Sequence, residues 1–381
     1  MSRDLILVAF SLVTWGIGEG MFLLFQPLYL QELGADSRTI GLILGLVGVA
    51  MMLAHLPAGY LADRIGRRPL MLAAWIMGII STWIMALASR LPFFVLGSAL
   101  YGMTSFVIAP MNSYITAARG NWSLGRTMTT VSATYNVGSI LGPLLGGWIG
   151  ARAGLRASFL VAAVIFMLST LIIFFIRPQP VQLPSSESAK SRLGELLNKR
   201  YLLFLLLAFL TIFSLYLPQP LSQNFLRYQR GVNLQQIGWL IAARSAGVVL
   251  LNLTIGRLAP RRAFLLSQVV MALFALLIWQ GTDMGWYFMG YMCLGGLMTA
   301  RAMVTTQGRT FVQAANMGLA YGSMETAMAF AAILAPLLAG VLYSLNPAWI
   351  YTASLALIGL MLLINLAYSP LQGRTVAVDD G

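Results

Sequence analysis

The chain has 381 residues, of which 59% are hydrophobic and 9% charged, with a formal net charge of +13. A soluble globular domain carries about 25% charged residues, so this composition excludes a water-soluble fold and points to lipid. A single Cys (Cys293), a single His (His55) and two lysines (Lys190 and Lys199) exclude an internal disulfide, a Cys/His metal or nucleophile site, and a G-x-x-x-x-G-K-[ST] phosphate loop.

In chain order, long apolar runs cover residues 5–30, 39–61, 70–88, 91–118, 126–150 and 155–176. A polar stretch follows at 177–199, then a second set of runs at 201–226, 233–257, 262–280, 284–311, 318–343 and 347–369. Each run is long enough for a membrane-crossing helix, which needs about 20 residues. The sequence therefore predicts an all-α integral membrane protein of twelve transmembrane helices. A six-helix bundle covers 1–176, a cytoplasmic linker 177–199 and a second six-helix bundle 200–381, with a central cavity between the bundles. The linker holds Pro178, Pro180, Pro184, a serine cluster and both lysines, with room for one short surface helix over 193–199.

With the N-terminus in the cytoplasm, sixteen basic residues fall on the cytoplasmic side. Six fall on the opposite side (Arg38, Arg90, Arg152, Arg156, Arg227 and Arg230), and Arg244 and Arg301 lie inside spans. The positive-inside bias puts both termini in the cytoplasm and explains the basic charge as topology rather than as a nucleic-acid surface. The first run starts at Leu5 and is too long for a cleavable signal core, so an uncleaved insertion signal is expected.

The two sets of runs are copies. Residues 138–147 read GSILGPLLGG and residues 331–340 read AAILAPLLAG, 193 positions apart. Gln26-Pro27-Leu28 returns as Gln219-Pro220-Leu221 at the same offset, and Ile40-Gly41 as Ile237-Gly238 at 197. Six spans per copy is an even number, so both copies enter the membrane from the same side. Such parallel repeats build secondary transporters whose substrate sits between halves near the midplane. On physics alone the glycines of the first copy, Gly138, Gly142, Gly146 and Gly147, serve close helix packing, and Pro143 bends the span.

Residues 59–69 read GYLADRIGRRP, between spans two and three. This pattern resembles the signature loop of the major facilitator superfamily, with Gly59, Asp63, Arg64, Gly66, Arg67 and Arg68 at specified positions. The GSILGPLLGG stretch in span five is similar to that superfamily's antiporter signature, found mainly in exporters. The resemblance covers the whole chain and implies a proton-coupled transporter of the antiporter and drug-exporter branch. It also implies gating roles for the loop residues and for Gly138, Gly142, Pro143, Gly146 and Gly147. Asp63 would rest near the positive N-terminal end of span eleven. Arg64, Arg67 and Arg68 would hold carboxylates, carbonyls or anionic lipid heads. One departure stands out: the drug-exporter branch carries an Arg in span four, four residues before a Gly, whereas this chain has Ser98 before Gly102.

Of the eleven acidic residues, only Glu19 and Glu325 fall within spans, apart from the loop residue Asp63. A charge at bilayer depth costs about 3 kcal/mol or more, so it faces a cavity or a partner. Helical periodicity places Trp15, Glu19, Phe22 and Gln26 on one stripe of span one, and Tyr101, Ser105, Ile108 and Asn112 on one stripe of span four. Met128, Ser132, Tyr135 and Ser139 share a stripe of span five, while Leu294, Met298, Arg301 and Thr305 share one in span ten. The resemblance turns spans one, four, seven and ten toward the cavity. Candidate substrate contacts are Trp15, Gln26, Tyr101, Asn112, Tyr135, Gln219, Arg244 and Arg301. Glu19 and Glu325 are the candidate proton-coupling residues. Arg301 and Glu325 lie at roughly 15 and 10 Å from the cytoplasmic side, at 1.5 Å per residue, so they can pair. His55 reads as a packing residue.

Three activities stay open at this point. The first is proton-coupled export of small apolar or amphipathic compounds. The second is uptake or exchange of an organic anion clamped by Arg244 and Arg301, since guanidinium binds carboxylate bidentately. The third is a transport-inactive helper that handles lipids or assembles membrane complexes. In each case the chain is not an enzyme, needs no cofactor or metal, and contacts membrane lipids. Under the transport readings its partners are a small-molecule substrate and protons. A monomer in the bacterial inner membrane is expected.

Overall fold

The computed structural model describes residues 2–179, 198–311 and 317–367, apart from the side chains of residues 55–64, 124, 125, 309 and 317–319. Most of the linker, the C-terminal tail and the side chains of His55, Asp63 and Arg64 therefore lie outside the described residues.

All regular structure among the described residues is helical. In chain order the α-helices are α1 (Arg3–Phe22), α2 (Gln26–Glu32), α3 (Ser37–Ile65), α4 (Arg67–Leu87), α5 (Leu91–Met103), α6 (Ile108–Ala118), α7 (Leu124–Ala153) and α8 (Leu155–Phe174). After the linker come α9 (Lys199–Tyr216), α10 (Ser222–Gln229), α11 (Leu234–Thr254), α12 (Pro260–Gln280), α13 (Met284–Cys293), α14 (Gly296–Gly308), α15 (Met317–Leu345) and α16 (Trp349–Ala367).

Local chemistry sets many of the boundaries. Ser2, Ser123 and Asn233 cap α1, α7 and α11 by accepting hydrogen bonds from backbone N–H groups that would otherwise have no partner. Asn233 and Gln236 form a reciprocal capping box. At Gly66 the backbone turns between α3 and α4 with φ +94°, a conformation that disfavours any residue with a Cβ.

Four of the apolar runs do not form continuous helices. The breaks fall at 23–25, 104–107, 217–221 and 294–295, in the first, fourth, seventh and tenth runs. Pro27 and Pro220, copies of each other, follow or end two of these breaks, where a missing N–H interrupts the helical ladder.

Among the described residues, ten helices or joined helix pairs are long and apolar enough to cross a membrane. Twelve such segments were expected from composition. The two that fall short are α7, which is rich in Gly, Ser, Thr and Asn, and the α13–α14 segment, which is broken.

The duplicated phrases explain how the two sequence copies meet. In α7, Gly147 lies so close to α11 that an added Cβ would sit 2.7 Å from the Leu234 carbonyl oxygen and 2.9 Å from Gly238 Cα. In α15, Gly340 packs on α3, where an added Cβ would sit 3.2 Å from Gly41 Cα. Gly147 and Gly340 are copies at offset 193, and Gly41 and Gly238 are copies at offset 197. The phrase thus occurs twice because each copy seats its helix on the other half's second long helix. Asn224 Nδ2 adds bonds to the Pro27 carbonyl and Gln31 Oε1, and Arg38 Nε donates to Ser344 Oγ. These contacts close the end of the molecule that holds residues 33–36, 154 and 230–233. Toward the other end, Ser132, Asn136 and Glu325 are exposed.

Candidate functional site

A cavity of about 470 Å³ is lined by residues from α1 to α7. It gathers Trp15, Glu19, Gln26, Tyr101, Asn112 and Tyr135 from the expected set, with Ser98, Ser105, Ser132 and Asn136 as further polar groups. Met51, Met111, Met128, Trp75 and aliphatic side chains supply an adaptable apolar wall. The cavity was expected between both bundles, yet all its lining residues lie between positions 12 and 136. Gln219, Arg244, Arg301 and Glu325 do not line it. Tyr135 forms the wall on the side where α7 packs on α11.

The small residues of α1 and α7 build the centre of this site. Cβ atoms added at Gly138 or Gly142 would collide with the carbonyl oxygens of Val13 or Ile17, and one at Gly146 would sit 2.6 Å from the Met21 carbonyl oxygen. Such backbone-to-backbone approach, possible only with glycine, draws α7 onto α1. It brings Tyr135 Oη to 2.7 Å from Glu19 Oε2, the hydroxyl donating to the carboxylate. Trp15, one turn before Glu19, stacks on Tyr101 with centroids 6.1 Å apart and meets Trp75 and Phe166 at 4.8 and 4.5 Å. Gln26 Nε2 donates to Ser98 Oγ at 2.5 Å, so a neutral amide–hydroxyl pair occupies the place where the drug-exporter resemblance would put an arginine. Tyr101 and Ser105 line the cavity; their hydroxyls are buried with no partner at hydrogen-bond geometry, and Tyr101 lies beside Glu19.

The second half contributes two arginines in different situations. Arg301 Nη2 contacts Glu325 Oε2 at 3.0 Å, the pair anticipated from depth. The Glu325 side chain is 59% exposed and that of Arg301 29%, which discounts the stability of the pair to about 1 kcal/mol or less. Glu325→Gln is therefore expected to lower the thermal unfolding midpoint by only a few degrees in a fluorescence melt of the detergent-solubilised protein. A collapse of folding would show that the pair holds α14 and α15 together. Arg244 differs, because it makes no ion pair among the described residues and its buried Nε lacks a partner. The hydroxyls of Tyr216, Tyr135 and Tyr291 lie within its electrostatic reach. Ser245, its neighbour in sequence, approaches the Ser139 carbonyl at 3.5 Å. Glu19 and Arg244 do not pair with each other in this conformation. Gln219 is buried, with its Oε1 unpartnered.

Of the signature loop, Gly59, Asp63 and Arg64 lie among the residues whose side chains are not described. Arg68 donates from Nε to the Ile176 carbonyl and from Nη2 to that of Phe174, and Arg67 Nη1 donates to Gln179 Oε1. Arg68 thus satisfies carbonyls at the end of α8 that have no helical partner. Its copy Arg261, at offset 193, does the same for the Leu366 carbonyl at the end of α16. Carbonyl binding was among the roles expected for these arginines. Among the described residues no cluster of His, Cys, Asp or Glu could hold a metal ion.

Trp75, Tyr216 and Tyr291 are not singled out by the sequence, and Ser98 stands out there only as a departure from the resemblance. Trp75 lies on a run with no other polar stripe, and the two tyrosines matter only because an arginine of another helix sits beside them.

These features together define a polytopic helical membrane protein with an internal cavity that carries one partly buried carboxylate. The profile of the Major Facilitator Superfamily matches the chain over residues 8–224 and again over 204–378. The chain belongs to that superfamily, whose members are transporters and not enzymes. Multidrug resistance protein MdtG of Salmonella arizonae is 29% identical over 218 residues, which make up 52% of this chain and 53% of that protein. MdtG of Klebsiella pneumoniae is 29% identical over 218 residues, 52% of each chain. The chain thus spans about half the length of the curated relatives it matches. Among solved structures, the nucleoside transporter NupG superposes with a TM-score of 0.79 at 15% identity, covering 98% of this chain and 100% of that one. A bacterial homolog of the human lysosomal transporter Spinster, in an inward-facing and occupied conformation, gives 0.74 at 15% identity, covering 95% and 94%. At such identities the likeness is one of fold.

Proposed function

We propose that this protein is a proton-coupled secondary transporter of the bacterial inner membrane that exports small apolar or amphipathic compounds by alternating access. Two bundles, residues 1–176 and 200–381, rock about the cavity, with twelve spans and both termini in the cytoplasm. The observation that carries the reading is the Glu19 carboxylate, held by Tyr135 in an aromatic- and methionine-walled cavity. A carboxylate partly withdrawn from water is stable either as a neutral acid or as a hydrogen-bonded anion, so it can carry a proton between two conformations. The apolar wall suits a hydrophobic body, while the Tyr101 and Ser105 hydroxyls offer polar contacts. The resemblance to drug exporters and the likeness to MdtG favour export as the direction.

The mechanism follows from these parts. In the conformation closed at the 33–36, 154 and 230–233 end, which the basic-residue bias makes the outer end, a compound enters from the cytoplasm. It displaces water from the apolar wall and sits beside Glu19. Separation of α7 from α11 and of α3 from α15 then opens the outer end. Glu19 takes a proton there and returns it to the cytoplasm.

The test is flux in proteoliposomes holding a pH-sensitive dye, challenged with a panel of neutral, cationic and anionic amphipathic compounds under an imposed pH gradient. Protein-dependent proton movement is expected with at least one member. The absence of protein-dependent flux for every member, under gradients of either sign, contradicts the reading. Anionic-metabolite binding lost in Arg301→Ala would instead favour the clamp reading, which the Arg301–Glu325 contact disfavours.

A further inference from the structure

Glu19 is a carboxylate with no cationic partner, and Arg244 is a guanidinium with no anionic partner, among the described residues. They belong to different halves of the chain. Two unlike charges left apart at membrane depth are each unfavourable. One side chain relates to both of them. Tyr135 Oη donates to Glu19 Oε2, and Arg244 lies within electrostatic reach of the same tyrosine. The backbone agrees, since Ser245 approaches the carbonyl of Ser139, one helical turn along α7 from Tyr135.

We infer that Arg244, acting through Tyr135, is the positioning residue that makes the proton on Glu19 depend on which end of the molecule is closed. The inference rests on the proposed transport cycle and supplies its switch. With the outer end shut, Gly147 is seated on Gly238, and α11 keeps Arg244 within electrostatic reach of Tyr135 on α7. The guanidinium polarises the Tyr135 hydroxyl, whose donated hydrogen bond then favours the Glu19 anion. Glu19 therefore gives its proton to the side then open, the cytoplasm. When α7 and α11 separate, Arg244 withdraws, the carboxylate loses this support and takes a proton from the outside. The proton moves inward on each cycle, which is the direction an exporter needs. In the drug-exporter resemblance the arginine belongs to span four of the same half. Here Ser98 stands there, and the charge comes from the other half.

Other groups facing Glu19 from the packed elements are uncharged: Trp15 on its own helix, Tyr101 from α5 and Tyr135 from α7. No Lys, His or second carboxylate joins them among the described residues.

The test reads the carboxyl itself. The full chain, reconstituted in lipid, is titrated while the infrared C=O stretch of protonated carboxylic acid is recorded, and Glu19→Gln identifies the Glu19 component. Arg244→Gln and Tyr135→Phe are each expected to move the midpoint of that component upward by about one pH unit, a tenfold change in proton binding. Arg244→Lys should return it toward the wild-type value, and the double variant should shift no further than either single one, because both act in one chain. Tyr135→Phe keeps the ring and loses only an oxygen, so it serves if Arg244→Gln does not fold. Unchanged midpoints in the folded variants overturn the inference. No substrate is used, so absence of flux in the proteoliposome assay would defeat the transport reading and leave this result standing.

Discussion

Replacing Glu19 with Gln is expected to reduce pH-gradient-driven transport to the level of protein-free vesicles while counterflow exchange of the same compound continues. Glutamine keeps the size of the side chain and can still bond Tyr135, so binding and rocking persist. It cannot carry a proton between the two sides. Glu19 is the cavity's one carboxylate among the lining residues, and no Lys, Arg, His or Cys lines the cavity with it. Glu325, more than half exposed and bonded to Arg301, lies outside the cavity lining. Uphill transport by Glu19→Gln equal to that of the wild type would remove Glu19 as the coupling residue. Loss of both uphill transport and exchange would show that the carboxylate is needed for the motion itself.

The second large effect is expected at the contact between the halves. A Cβ on Gly238 would collide with the Pro143 carbonyl oxygen and sit 3.1 Å from Gly147 Cα, and neither backbone atom can swing aside. Overpacking of this kind costs about 1–3 kcal/mol. At 1.4 kcal/mol per tenfold, Gly238→Leu should deplete the outer-closed state by about 5- to 150-fold. The shift is readable at Asn224, which is fully buried by its contacts with Pro27 and Gln31. In a Cys293→Ser background, Asn224→Cys should be shielded from a membrane-impermeant thiol reagent supplied outside, and should become reactive when Gly238→Leu is added. Equal shielding in both proteins would mean that α7 and α11 do not form the outer gate.

Much of the fold is legible in the residues. Apolar run lengths give the helices, and the repeat offsets of 193 and 197 foretell which glycines become equivalent. The stripes through Trp15 and Glu19, and through Tyr101 and Asn112, follow from a period of 3.6 and line the cavity as expected. The Arg301–Glu325 contact follows from depth alone. What could not be read is whatever depends on two helices meeting. Nothing in the sequence joins Tyr135 to Glu19, because that bond exists only where Gly138 and Gly142 let α7 touch the backbone of α1. The role of the repeated phrase was read only in part. Packing was anticipated, but its partners, Gly238 for Gly147 and Gly41 for Gly340, lie on the other half. That this cavity is lined from the first half alone was hidden for a similar reason. The halves pack so closely along α7 and α11 that the ring of Tyr135 forms the wall and Arg244 lies outside the lining.

The central claim is that protonation of Glu19 sets which end of the protein is closed. It is tested most directly by the distance between the two halves at the outer end as pH is changed. Spin labels at Ala153→Cys on α7 and Gln229→Cys on α10, both exposed positions, report that distance by double electron–electron resonance in a Cys293→Ser protein reconstituted in lipid. The wild type is predicted to show two distance populations that exchange as pH is varied, and Glu19→Gln a distribution that does not respond to pH. Identical titration of the two proteins would contradict the account.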